Sequence, residues 1–202
     1  RSITWVLEHV DDVVKQAPPD LKLEIVPEGK KVEDMILSGE VDGYISPSVN
    51  EAHAKGDPRI ARLWPNYKEV ETEYYQRTGF FPIMHVTTIR TEIVEKNPWV
   101  VQSLTMAFEE AKQMAYQRYA NPRNAPYAFA QTYWEEERAL LGRDPWEFGM
   151  TEVNQRNYDT LVGYVHDQVL TGPRPQLKDL YAKESFDIPL PLPLKHDIEY
   201  GF

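Results

Sequence analysis

The 202-residue sequence predicts an α/β fold, and three features carry that expectation. Two short runs near the start, "ITWVL" and "DLKLEIV", have strand character; the second places Leu21, Leu23 and Ile25 on one face. "KKVEDMILSGE" then shows helical spacing and "VDGYISPSV" returns to strand character, which makes a βαβ unit with a parallel sheet and right-handed crossover. Beyond residue 97 the chain turns helical, with three long amphipathic patterns.

The elements can be justified in chain order. In the first helix Val32, Met35 and Ile36 share a face, and Gly39 stands where a C-terminal cap belongs. Pro47 stops the following strand, and residues 50–57, running into "KGDPR", read as polar loop. The stretch "RTGFFPIMHVTTIR", residues 77–90, reads as a buried strand, because Ile83, Met84, Val86 and Ile89 are apolar and four consecutive residues are β-branched. It also holds Pro82, His85 and a terminal arginine at each end, which an ordinary core strand avoids.

Asn97-Pro98 predicts a helix start, with asparagine as N-cap and proline at the first helical position. Val101, Leu104, Phe108, Ala111 and Ala115 recur through it at steps of three and four. A second helix is expected around residues 127–142. A third is expected over 153–170, with Leu161, Val162, Val165 and Val169 on one side. The last twenty residues, 183–202, alternate prolines and predict an extended tail suited to lying along a neighbouring subunit of a homo-oligomer.

Composition narrows the function classes. Hydrophobic content of 42% and charged content of 27% suit a globular chain able to bury a core. A net charge of −10 argues against nucleic acid as a partner, since phosphate binding wants a basic surface. No apolar run approaches the ~18 residues of a membrane helix, so no membrane partner is expected. The absence of cysteine excludes disulfides, thiolate chemistry and cysteine-ligated zinc, and leaves the compartment open. The nucleotide, zinc-hydrolase and nucleophile-elbow motifs are missing, and the five histidines form no close-spaced pair, so no metal is expected.

Five segments then point one way: "LSGEVDGYISP", "GDPRIARLWPNY", "YYQRTGFFPIMHVTTIR", "NPWVVQSLTMAFEEAK" and "LLGRDPWEFGM". Together they resemble the 4,5-dihydroxyphthalate decarboxylase family from Ile3 to about Tyr181; the proline-rich tail departs from it. "FPIMH" and "DPWEFG" are the specific parts, whereas "GEVDGYIS" is shared by many solute-binding proteins. The resemblance implies the type 2 periplasmic-binding-protein fold, two lobes with a hinge-crossing strand. Residues 1–75 would be the remainder of the second lobe, and 76–182 the hinge strand and helical return portion of the first. Family members carry a leading portion absent from this sequence, so a partial chain is expected. Pro82 would sit at the crossing, where its missing N–H costs least.

The same resemblance implies removal of CO₂ from a dihydroxylated aromatic carboxylate by protonation of a ring carbon, with no organic cofactor. That chemistry wants an acid near neutrality, which imidazole supplies, and a cation for a second carboxylate. His85 is the expected proton donor, with Glu73 in reserve. Arg77 would bind the anion, and Ser46, Tyr75 and Phe81 complete the substrate-binding set. Each has a plainer alternative. His85 could be a core imidazole bonded to a backbone carbonyl, Arg77 a surface ion pair with Glu71 or Glu73, the tyrosines core packing, and Ser46 a turn hydroxyl before Pro47.

Two other function classes remain open on this reading. A binding protein of the same fold could capture a small anion or aromatic for transport, and a pyrimidine-precursor synthase of the thiamine pathway type is a more distant rival. The enzyme reading goes with a cytoplasmic location and the transport reading with a periplasmic one.

Overall fold

A computed structural model describes residues 3–8, 20–142, 144–168 and 172–189. These fall into two compact units, with the boundary between Glu71 and Thr72; Val165–Gly172 belongs with the first unit and the residues from Pro173 onward with the second.

The first unit opens on strands β1 (Thr4–Leu7) and β2 (Lys22–Ile25), paired in parallel with Thr4 opposite Lys22 and Leu7 opposite Ile25. The Val26 N–H extends the ladder to the Leu7 carbonyl at 2.8 Å. Helix α1 (Val32–Ser38) follows, its Val32 N–H donating to the Glu8 carboxylate at 3.1 Å. An acidic group there suits the free N–H groups of a helix start. Gly39 ends α1 at a φ of 79°, the left-handed conformation that glycine adopts without steric cost. Val26 and Met35 are the buried apolar residues of the first unit among those described.

The parallel pair is therefore β1 with β2, and the expected third strand is not formed. Residues 41–46 carry neither helix nor strand. Val41 N–H bonds back to the Met35 carbonyl at 3.3 Å, the Tyr44 hydroxyl donates to Glu33 at 3.4 Å, and Ile45 is exposed. The closing of α1 thus takes the backbone donor that would have begun a ladder. The expected half-buried face of β2 is open as well, since Leu23 and Ile25 are exposed.

Residues 50–57, expected as loop, contain a one-turn helix, α2 (Glu51–Ala54), capped by the Asn50 side chain on the N–H groups of Ala52 and His53. In "GDPR", Arg59 grips Asp57 through its guanidinium at 2.6 and 3.0 Å and through its backbone N–H at 3.0 Å. These bonds hold the Asp57 carboxyl down at about 2. The depressed value means that its stabilising effect is full above the ordinary carboxylate range, ~3.9, and is lost as pH falls through about 2. Arg59→Gln is expected to move the Asp57 titration midpoint back toward ~3.9 in a carboxyl-carbon NMR titration. An unchanged midpoint would show that the guanidinium is not the cause.

Helix α3 (Tyr67–Thr78) spans the boundary between the units. The second unit continues with α4 (Thr91–Lys96), α5 (Trp99–Ala120), α6 (Ala130–Leu141), α7 (Glu152–Asp167) as far as Tyr164, and the single turn α8 (Leu177–Leu180). The helices expected near 127–142 and 153–170 are α6 and α7, the latter ending at Asp167 with Gln168 in a turn. Asn97 has a different job from the one predicted: its side chain donates to the Ile93 carbonyl and closes α4, and α5 begins one residue later, with Pro98 as its N-cap. Val101, Met150 and Ile188 are buried in this unit.

No helix or strand is formed between Gly79 and Arg90, so the predicted strand over the "FFPIMHVTTIR" segment is corrected. A strand exists only against a neighbour, and the second unit holds no other strand among its described residues. Met84 and Val86 are exposed along it. Of the predicted tail, Lys183–Phe186 is a 3₁₀ turn instead, free of proline and closed by Ser185 on the Ala182 carbonyl. Residues 190–202, with the rest of the proline run after Pro189 and the expected subunit contact, lie outside the described residues.

Candidate functional site

The predicted site residues on the second unit lie on α3 or on the segment that leaves it. Glu73, Tyr75 and Arg77 stand on the helix itself, not on an extended segment. The signals for that helix were present in "PNYKE" and in Gly79. The Asn66 carbonyl accepts the N–H groups of Glu69 and Val70 at 3.0 and 3.2 Å, and its side-chain amide donates to Glu69 Oε2 at 3.0 Å, a link between N-cap and N3 positions. Gly79, at a φ of 67°, ends the helix in the left-handed conformation.

Each side chain then finds a distinct setting. Tyr75 is half-buried and its hydroxyl donates to the Leu141 carbonyl at the end of α6, 3.1 Å away. That bond makes Tyr75 an anchor between α3 and α6. Arg77 forms no ion pair with Glu71 or Glu73 among the described residues; its guanidinium lies over the Tyr74 ring at 5.6 Å. Glu73 is exposed. His85 is exposed too, so the alternative of a core imidazole fails. Ser46 belongs to the first unit, where its hydroxyl accepts the Ser48 N–H at 3.1 Å across Pro47, the turn role that was its plainer reading.

The chain leaving α3 is clamped before it reaches His85. Thr78 donates its hydroxyl to the Tyr74 carbonyl at 2.8 Å and accepts the Phe80 N–H at 3.1 Å. Arg156 of α7 donates to the Thr78 carbonyl at 3.2 Å and lays its guanidinium over the Phe80 ring at 4.9 Å. Phe81 meets Trp146 edge to face, with ring centroids 4.9 Å apart at 72°. A Cβ at Gly79 would come within 2.9 Å of the Arg156 guanidinium. Gly79→Ala is therefore expected to cost about 1–2 kcal/mol for the left-handed backbone alone, read in a denaturant melt. A neutral result would mean that this turn does not hold its conformation in solution.

Behind the clamp lies a group of charges that sequence reasoning missed. Lys112 of α5 sits between Glu109 at 2.7 Å and Asp144 at 2.5 Å; the Lys112 and Glu109 side chains are each only 9% exposed. Its ammonium also donates to the Trp146 carbonyl at 3.1 Å and lies 4.8 Å from the Phe148 ring centroid. Asp144 in turn accepts the Tyr116 hydroxyl at 2.6 Å and the Trp146 N–H at 2.9 Å. In "NPWVVQSLTMAFEEAK" Lys112 falls three residues after Glu109, a spacing that reads as a solvated surface pair. Only the arrival of Asp144 from "DPWEFG" reveals the cluster, and no local pattern announces a partner 32 residues away.

No family model matches the chain. It is 28% identical over 197 residues to a 4,5-dihydroxyphthalate decarboxylase of Comamonas testosteroni, covering 92% of this chain and 59% of that protein. It is 24% identical over 84 residues to a 4,5-dihydroxyphthalate decarboxylase of Pseudomonas putida, covering 39% of this chain and 33% of that protein. The resemblance read from the five segments is thus borne out, and the chain spans less than two thirds of the length of these curated relatives.

Proposed function

We propose that this chain works in an aromatic carboxy-lyase that removes CO₂ from a dihydroxylated aromatic dicarboxylate of the 4,5-dihydroxyphthalate type. The observation that carries the reading is the likeness to a decarboxylase of that name over 92% of the chain. A two-lobed type 2 periplasmic-binding-protein fold is part of the same proposal.

In the reaction, a proton is added to the ring carbon that bears the departing carboxylate. The positive charge this creates is spread by a ring hydroxyl. The bond to the carboxylate then breaks, its electron pair returns to the ring, and CO₂ leaves with aromaticity restored. One proton replaces one CO₂, so no oxidant or reductant is needed, and the ring itself holds the intermediate without an organic cofactor.

His85 is the proton donor in this reading, because its imidazole is exposed on an anchored segment and can be recharged from solvent. Arg77, held over Tyr74 without a carboxylate partner among the described residues, suits the second carboxylate of the substrate. Phe81 supplies an apolar wall, Glu73 is the reserve acid, and the roles of Ser46 and Tyr75 are structural.

The test is CO₂ release by the whole protein over a panel of dihydroxylated aromatic mono- and dicarboxylates. Turnover confined to dicarboxylates with ring hydroxyls is expected. Tight binding of the panel with no CO₂ would replace the enzyme by a solute-binding protein.

A further inference from the structure

The loop that carries "DPWEFG" is tied down from two sides, and Trp146 is the more exposed of its two aromatic side chains. From α5, Lys112 and Tyr116 hold Asp144, and Lys112 also holds the Trp146 carbonyl. From α7, the Asn154 amide donates to the carbonyls of Glu147 and Gly149 at 3.0 and 2.9 Å, and the Gln155 amide donates to that of Met150 at 2.8 Å. Thr151 donates to the Glu147 carboxylate at 2.7 Å. Gly149 closes the loop at a φ of 89°, which admits little besides glycine. Against this backbone the Trp146 indole is 51% exposed, and its ring contact is Phe81.

A half-exposed tryptophan is a poor use of such a scaffold if burial were its purpose, because half of its apolar surface stays in water. The scaffold instead fixes where the indole stands. Phe81 precedes Pro82, so its own backbone is confined to extended conformations and the next φ is locked near −65°. The restraint acts on Phe81 and Pro82 and fixes the direction in which the chain leaves Phe81; His85 is four positions on.

We infer that Trp146 is a positioning residue: the loop fixed by Lys112, Tyr116, Asn154 and Gln155 holds its indole against Phe81 and so sets the course of the segment that carries His85. The activity arm of this inference rests on the decarboxylase reading; the spectroscopic arm does not.

The experiment compares Trp146→Leu and Trp146→Phe in the whole protein. The imidazole carbon-bound proton signal of His85 is first assigned by its loss in His85→Asn. Trp146→Leu is expected to move that signal and to lower kcat by about tenfold or more with a smaller change in KM, since small misplacements remote from the chemistry cost rate. Trp146→Phe, which keeps an aromatic edge for Phe81, is expected to restore most of both. A His85 signal unmoved by Trp146→Leu overturns the inference whatever the activity. So does a kcat loss that Trp146→Phe fails to repair and that tracks a lowered melting temperature, which assigns Trp146 to packing. A moved signal in a protein whose wild type releases no CO₂ supports the positioning and removes the decarboxylase reading instead. If Trp146→Leu does not fold, Phe81→Leu breaks the same contact from the other side and must move the signal likewise.

Discussion

His85→Asn in the whole protein is expected to lower kcat for decarboxylation by about 10²- to 10⁴-fold while leaving stability within about 0.5 kcal/mol. The two halves of this expectation have separate grounds. In the proposed reaction His85 acts on the reacting carbon, so its loss should fall on kcat more than on KM. The exposed imidazole makes no hydrogen bond with the described residues, so asparagine strands no buried partner and opens no cavity. Melting temperature and kcat measured on one preparation decide the matter. An unchanged kcat removes His85 from the chemistry and turns attention to Glu73, where Glu73→Gln is the corresponding substitution.

How far the sequence reaches depends on whether a feature is local. Gly39, Gly79 and Gly142 end helices in left-handed conformations, and a glycine after a periodic run announces that by itself. Helices α5, α6 and α7 were legible for the same reason, their periodicity being a property of neighbouring residues, whereas α3, as long as α6, was not predicted. The "FFPIMHVTTIR" segment shows the limit: β-branched residues favour an extended chain, yet only a neighbouring strand makes a ladder of it. Residues 41–46 fail in the same way, since Val41 spends its N–H on the end of α1. Asn97 could cap either the helix before it or the one after, and the motif alone does not choose. Tyr75 needed Leu141, 66 positions away, to acquire its role. The proline and aromatics of "DPWEFG" were visible, but the reason for their rigidity lies on α5 and α7.

Lys112 is where that non-local chemistry should have its largest energetic effect. Lys112→Met is expected to destabilise the second unit by about 3–5 kcal/mol, the scale for removing one partner of a buried ion pair. For a chain of this size that corresponds to a melting temperature lower by roughly 6–20 °C. Methionine matches the apolar stem of lysine, so packing changes little and the loss is electrostatic. What remains is Glu109, 7% exposed, with the Gln113 amide at 2.5 Å but without its cation. Asp144 suffers less: its side chain is 28% exposed, water reaches it, and the Tyr116 hydroxyl still donates to it. The penalty should therefore come mainly from the stranded Glu109 carboxylate, and this can be separated from the loss of the Lys112 contacts themselves. Adding Glu109→Gln to Lys112→Met removes the uncompensated charge and should recover a substantial part of the stability, so the two substitutions are non-additive. Denaturant unfolding of the two single variants and the double variant supplies the cycle. A Lys112→Met variant within about 1 kcal/mol of the wild type would show that the cluster is solvated in practice, and that the loop bearing Trp146 is held from α7 alone.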